Sequence, residues 1–250
     1  MMSSKRVMKT VVAGVALVTV SATSAFAQGT ADRRLSFSFD LGTETAVSGD
    51  LHGGAQGTVL ALPTTVESRS YGDIYGASFS WAASLGYRVG TNGEVRGRFH
   101  YAADSAESLQ VGNVATLPLF AAFDDYKAWG VDFGYRQYFA AADATVRPYG
   151  GASVGFAQVE AINATLTVPA ASVTLSDVPF YDDSTLPTFA FSAGVVFGLS
   201  DSVALQGGID FRWQGDLKEI EGLAGTGLQT INDESRRWTL PIQFGLTIRF

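Results

Sequence analysis

His52 and His100 are the only histidines among 250 residues, and the chain has no cysteine. Thiolate nucleophiles, thiolate metal sites and disulfide staples are therefore excluded. A histidine base needs a hydroxyl nucleophile on one side and an orienting carboxylate on the other. His52 lies in the Gly-rich stretch LHGGAQG, with Ser48 and Asp50 close by in sequence. Such groups are recognised by geometry and not by closeness in the chain. His100 alternates with Arg96 and Arg98 and is followed by Tyr101 and Ala102, with no serine on its own face. Neither histidine completes a catalytic group, so no catalytic residue is assigned. The adjacent pairs Asp124–Asp125 and Asp182–Asp183 offer the hard oxygens a divalent cation prefers. They lack the spacing of a calcium loop, and read as solvated surface charge. No metal and no cofactor is expected.

The remaining ionisable residues fall into a second pattern, at alternate positions within apolar stretches. Asp40 does so in RLSFSFDLG, Glu94, Arg96, Arg98 and His100 in EVRGRFHYA, and Asp132 and Arg136 in AWGVDFGYRQYF. Asp210 and Arg212 do so in VALQGGIDFRWQ. Residues two apart share a face only in a strand. The opposite faces are apolar: Leu35, Phe37, Phe39 and Leu41; Val95, Phe99 and Tyr101; Trp129, Val131, Phe133 and Tyr135. ASFSWAASLGYRV, VRPYGGASVGF, TFAFSAGVVFGL and RRWTLPIQFGLTIRF repeat the pattern, the last ending on Phe250. Together these make eight strands of roughly 9 to 11 residues, the length that crosses a bilayer on a tilted path. No convincing helical period supplies a layer to cover their apolar faces.

GTNG, AAADAT and SDS join three strand pairs as hairpin-sized turns. The other connections, about 43–75, 104–125, 158–187 and 215–236, are long. This predicts an all-β fold: a closed, antiparallel, eight-stranded transmembrane β-barrel with short periplasmic turns and long extracellular loops. In that frame Trp81, Trp129, Trp213 and Trp238 face lipid near the outer rim, and Tyr87, Tyr135 and Phe139 face it near the inner rim. Two such aromatic belts are expected at the headgroup level. Arg34, Arg88, Arg147 and Arg249 gather at the periplasmic mouth, and the alternating charges turn into the lumen.

Residues 1–27 have a basic start (Lys5, Arg6, Lys9), an apolar centre from Val11 to Val20 and an Ala25-Phe26-Ala27 exit. They read as a cleaved secretory signal peptide, leaving 28–250 as the barrel domain. The apolar centre is too short for a spanning helix, which needs roughly 20 residues. Removing the three basic residues takes the net charge from −7 to about −10. An acidic exported chain is poorly suited to nucleic acid, and no nucleic-acid partner is expected.

Phe250, with Ile248, Leu246 and Phe244 at two-residue steps before it, resembles the C-terminal signal read by the outer-membrane assembly machinery. RPYGGASVGF is similar to the fifth-strand segment of the small OmpA/OmpX-type eight-stranded barrels, which include the opacity-like surface proteins. The whole mature chain resembles that family. The resemblance implies a cell outer-membrane location in a Gram-negative bacterium, contact with outer-membrane lipid and lipopolysaccharide, and passage through the assembly machinery. It also implies a non-catalytic surface protein that supports the envelope and presents loops outwards, with its external ligand unidentified. A lumen eight strands wide is filled by side chains or holds one small ligand. A polar plug comes first, and a narrow channel for ions or small solutes is the alternative. A lipid-modifying enzyme stands third, because a lipid deacylase needs a triad reachable from the bilayer and an omptin-type protease an acidic–histidine group at the rim.

Overall fold

The computed structural model describes residues 33–59, 61–76, 78–220 and 225–250; the expected signal peptide, 1–27, lies outside them. The strands in chain order are β1 (Leu35–Glu44), β2 (Ala46–Ser48), β3 (Asp50–His52), β4 (Ala55–Val59), β5 (Leu62–Val66) and β6 (Arg69–Ser70). A single-turn helix, α1 (Tyr71–Ile74), precedes β7 (Ser78–Val89), β8 (Gly93–Asp104), β9 (Leu109–Val114), β10 (Leu117–Phe123) and β11 (Tyr126–Tyr138). Then come β12 (Val146–Val159), β13 (Ile162–Val168), β14 (Val173–Asp182), β15 (Ser184–Gly198), β16 (Val203–Gln214), β17 (Lys218–Glu219), β18 (Arg237–Thr239) and β19 (Ile242–Arg249).

Eight of these close on themselves. The ladder runs β1–β7–β8–β11–β12–β15–β16–β19 and returns to β1, every pair antiparallel. Closure leaves no strand edge with unpaired backbone groups, the condition for a sheet to stand in hydrocarbon. At the seam Leu35 N donates to Phe250 O at 3.1 Å, and Phe250 N to Leu35 O at 3.0 Å. The last residue thus completes the ladder. The final stave is interrupted, not continuous as its alternation suggests: β18 and β19 are separated by Leu240 and Pro241, and Pro241 has no N–H to give a ladder. Alternation nonetheless runs through the break, with Trp238 outward and Arg237 and Thr239 buried inward.

Outward positions are bulky and bare. Phe133, Phe244, Leu85, Val154 and Phe191 each expose more than half of their surface. Aromatic rings run across neighbouring staves near one end: Trp81 lies 5.4 Å from Phe99, Phe99 6.0 Å from Trp129, and Phe211 4.2 Å from Trp238 between ring centres. Tyr87, Tyr135 and Phe139 are exposed towards the other end. An apolar surface of this extent around a closed ring is far larger than a water-soluble monomer tolerates.

The long connections are not open loops. They form a second, seven-stranded sheet in the order β17-β14-β13-β10-β9-β5-β4. Each connection hands on to the next: β5 pairs with β9, β10 with β13 and β14 with β17. The run ATLTVPAASVTL contributes β13 and part of β14, joined by a 3-10 turn at Pro169–Ala171 and a left-handed Ser172. Here the inward residues are apolar. Val66, Val111, Leu119, Phe123, Ile162, Ala164 and Phe180 join Leu51, Tyr71, Ile74, Leu228 and Ile231 in the main hydrophobic core. α1 anchors this layer through a capping box, in which Ser70 Oγ accepts from Asp73 N and Asp73 Oδ2 accepts from Ser70 N. That box places Tyr71 and Ile74 in the core.

Candidate functional site

Two interiors result, one inside the barrel and one under the second sheet. In the lumen the inward charges meet in layers. Towards the end with the short turns, the Arg147 guanidinium lies 4.0 Å from the Tyr138 ring centre and that of Arg136 3.8 Å from the Tyr149 ring centre. Arg136 donates to Gln206 at 3.2 Å, and Tyr138 OH donates to Glu94 at 3.2 Å. Arg34, Arg88, Arg147 and Arg249 line one narrow space at this mouth together with Glu94 and Tyr138. One layer further in, Arg96 meets Asp40 at 3.2 Å, and Gln206 Nε2 donates to the same carboxylate. Arg98 pairs with Asp210 at 2.5 Å and also donates to Gln243.

Next comes Arg212, almost wholly buried, with Glu44 at 3.3 Å, Asp210 at 3.7 Å and Asp132 at 3.9 Å. His100 Nδ1 approaches Asp132 Oδ2 at 3.1 Å, and Thr188 donates to Oδ1 of the same carboxylate. Room for the His100 ring comes from Gly130, where a Cβ would stand 2.5 Å from the imidazole Cε1. At the loop end Arg237 donates to Gln214 at 2.7 Å and lies over Tyr126 at 3.8 Å and Tyr71 at 4.9 Å. Asp104 is 3.9 Å from Arg237.

Every lumen charge picked out by its spacing therefore stands in the lumen, and carboxylates meet arginines across staves. Glu44, Asp104 and Arg237 belong to the same network and were not picked out. The signal for them is the same alternation carried further: Glu44 is two steps of two beyond Asp40, Asp104 two beyond His100, and Arg237 is the neighbour of an outward Trp238. The spaces left among these side chains are about 40 and 20 Å³, with about 20 Å³ at the arginine mouth. A water needs about 10–15 Å³ of such space, so each holds a few isolated waters at most.

The second interior is different. Beneath the sheet lies a cavity of about 570 Å³, lined mainly by aliphatic and aromatic side chains such as Val111, Leu119, Phe123, Ala164, Phe180 and Leu228. That is within the range of small-molecule sites, about 300–1,000 Å³. His52 lines it. Its ring packs 5.8 Å from Phe123 and 6.1 Å from Phe180, and its Nδ1 donates to Gly53 O at 3.1 Å. Ser48 and Asp50, its sequence neighbours, line a separate polar hollow with Asp233, Glu234 and Arg236. The closeness in LHGGAQG thus does not become a triad.

The acidic pairs are engaged by residues of their own and of neighbouring connections. Asp124 accepts from the Asn163 backbone and side chain, Asp183 from Ala161 N, and Asp182 from Lys218 Nζ at 2.5 Å. Among the described residues no group of three histidines or carboxylates is placed to hold a metal ion.

Apolar residues outward, paired charges inward and a ladder without edges leave one solvent that fits the outside of this ring. The protein is a multi-pass outer-membrane β-barrel. Its architecture is a ring of eight antiparallel staves closed by the pairing of the first with the last.

No family model and no curated protein matches the sequence. Among solved structures, the chain is similar to Neisserial surface protein A (NspA), at 15% identity and a TM-score of 0.45, covering 86% of this chain and 97% of that one. It is also similar to the N-terminal β-barrel domain of OprF from Pseudomonas aeruginosa, at 11% identity and a TM-score of 0.41, covering 87% and 98%. The attachment invasion locus protein Ail of Yersinia pestis follows at 10% identity and 0.39, covering 87% and 99%.

Proposed function

We propose that this protein is a non-catalytic surface barrel of a Gram-negative outer membrane, in which the barrel is a closed anchor and the second sheet is the working part. The observation that carries this reading is the lumen. Its arginines and carboxylates are spent on one another, and the spaces between them at Arg96, Arg98 and Asp210 are only about 40 and 20 Å³. A channel needs a continuous polar file that ions enter and leave. Here an ion would have to break Arg98–Asp210 or the Arg212 cluster to pass. Envelope support follows from the anchor, and outward contact from the sheet that the long connections build. Lipid and lipopolysaccharide are the surroundings that fit the apolar ring, and the Phe244, Leu246, Ile248 and Phe250 signature is the proposed handle for assembly.

The test is conductance. The purified protein, shown to be folded by a heat-sensitive gel shift, is placed in a planar bilayer. Silence is expected, in the native chain and in Asp132→Ala alike. Discrete steps whose size changes in Asp132→Ala would overturn the closed-anchor reading in favour of a narrow channel.

A further inference from the structure

The cavity under the second sheet has no place in an account that needs only an anchor and an outward face. Its walls come from strands of three connections, β5, β9 with β10, and β13 with β14, together with Leu228 and Ile231 of the fourth. A hollow of this size, open to the outside at Leu62, Val173 and Leu175 and otherwise lined mainly by buried aliphatic and aromatic side chains, forfeits the contacts that a packed core would make. Nothing about closing the barrel requires it. An apolar occupant would restore those contacts.

The polar detail of the site narrows the chemistry. His52 is almost completely buried in the cavity wall. Its Nδ1 faces a carbonyl oxygen, which cannot donate, so the proton sits on Nδ1 and Nε2 carries a lone pair. That Nε2 has no hydrogen-bond partner and no contact with solvent. Burial holds the imidazole below its ordinary range, so the ring is neutral at pH 7. A buried acceptor without a donor is an unusual thing for a fold to keep. The rings of Phe123 and Phe180, which also line the cavity, pack against the imidazole, and a hydroxyl reaches Nε2 only where that packing gives way.

We infer that this cavity is a binding site for a small apolar molecule carrying one hydroxyl, with the hydrocarbon part held by the walls and the hydroxyl donating to His52 Nε2. This deepens the surface-protein reading above by giving its working part a ligand class, and it does not depend on whether the lumen conducts. A carboxylate or phosphate is disfavoured, because either would meet a second lone pair and not a donor. Asp177, which also lines the cavity, adds a further repulsion for an anion.

The two histidines make the test clean. In protein labelled with ¹⁵N-histidine and held in lipid nanodiscs, only His52 and His100 give ring signals, and His100 in the lumen is the internal reference. The probes are 2-naphthol and naphthalene, which differ by the hydroxyl. The expected result is that 2-naphthol moves the His52 Nε2 resonance, leaves those of His100 in place and binds about fivefold more tightly than naphthalene, the ratio for one net hydrogen bond. In His52→Phe the two probes should bind alike. In Ala164→Trp, which fills the cavity from β13, both should lose binding while the His100 signals and the gel shift stay unchanged. Equal affinities in the native protein would overturn the role of His52. Binding that survives Ala164→Trp, or no binding of either probe, would overturn the site. A conducting barrel that still binds 2-naphthol overturns only the closed anchor, and a silent barrel that binds nothing overturns only this inference.

Discussion

The barrel and the sheet above it use the same two-residue alternation with opposite senses. In β8 and β11 the charges of Arg98 and Asp132 face inward and Phe99 and Phe133 face out. In β10 and β13 the order is reversed, with Leu119, Ala121, Ile162 and Ala164 inside. The difference follows from the solvent. Around the barrel the outside is hydrocarbon, so polarity is hidden in the lumen and must be satisfied there by pairing. Around the upper sheet the outside is water, and the apolar face is hidden. The changeover lies at the layer of Glu44, Asp104, Tyr126 and Arg237, where a buried arginine lies over two tyrosines, one of them supplied by α1. One interior is filled by mutually paired charges and the other keeps a large apolar space. The first has no room for a ligand, and the second does.

The contrast can be broken most severely at Arg212. Arg212→Ala leaves Glu44, Asp132 and Asp210 without their shared cation. Removing one partner of a buried ion cluster typically costs about 3–5 kcal/mol, so the urea midpoint of the barrel should fall steeply while the apolar cavity keeps its ligand affinity. Equal loss in both regions would mean that they unfold as one unit.

Phe133→Arg places a charge on the lipid face, at a residue with 64% of its surface exposed. About 2–4 kcal/mol of barrel stability should be lost if this position lies near the bilayer midplane. The same denaturation measurement would show almost no change if this outward face did not meet lipid.

Ser70→Ala removes one half of the capping box of α1. A loss of about 1 kcal/mol is expected, confined to the upper layer. Amide exchange should quicken around Tyr71 and Ile74 and stay slow in β8 and β11.

The smallest effect is on pH. Burial lowers the folded pKa of His52, with Arg69 lowering it further and Asp50 opposing. As pH falls below about 6.5, the ordinary value, the unfolded chain gains a proton that the folded ring does not. The contribution of His52 to stability is therefore present above that pH and lost as pH falls towards the folded pKa. Binding of 2-naphthol should stay flat from pH 8 to 6.5, because the ring is already neutral there. A titration of binding centred at 6.5 would contradict this.

Much of the barrel was legible because period two in a lipid-facing strand is a strong local signal. Phe37, Phe39 and Leu41 against Ser38 and Asp40 define both faces of β1 without help from the rest of the chain. Glu44 and Asp104 are less legible, because the outward face beside them falls to Thr43 and Ala103, and Arg237 stands just before the first bulky outward residue of its stave, Trp238. The upper sheet was harder. Its strands are two to ten residues long, several carry Pro or Gly, and the pairings that unite them join residues far apart, such as Phe120 with Thr167. Only the ATLTVPAASVTL hairpin shows itself locally.

The sequence by itself determined which residues face lipid and which face the lumen, since that needs only alternation and the free energy of burying apolar surface. It also determined that Phe250 falls on the same face as Ile248, Leu246 and Phe244. Tertiary structure alone decided which arginine meets which carboxylate, because pairing depends on the register between staves. It decided, too, that four separate connections share one sheet and enclose one cavity. And it turned His52 away from Ser48 and Asp50 towards Phe123 and Phe180, a contact that spans 71 and 128 positions of chain and leaves no mark in any short stretch of it.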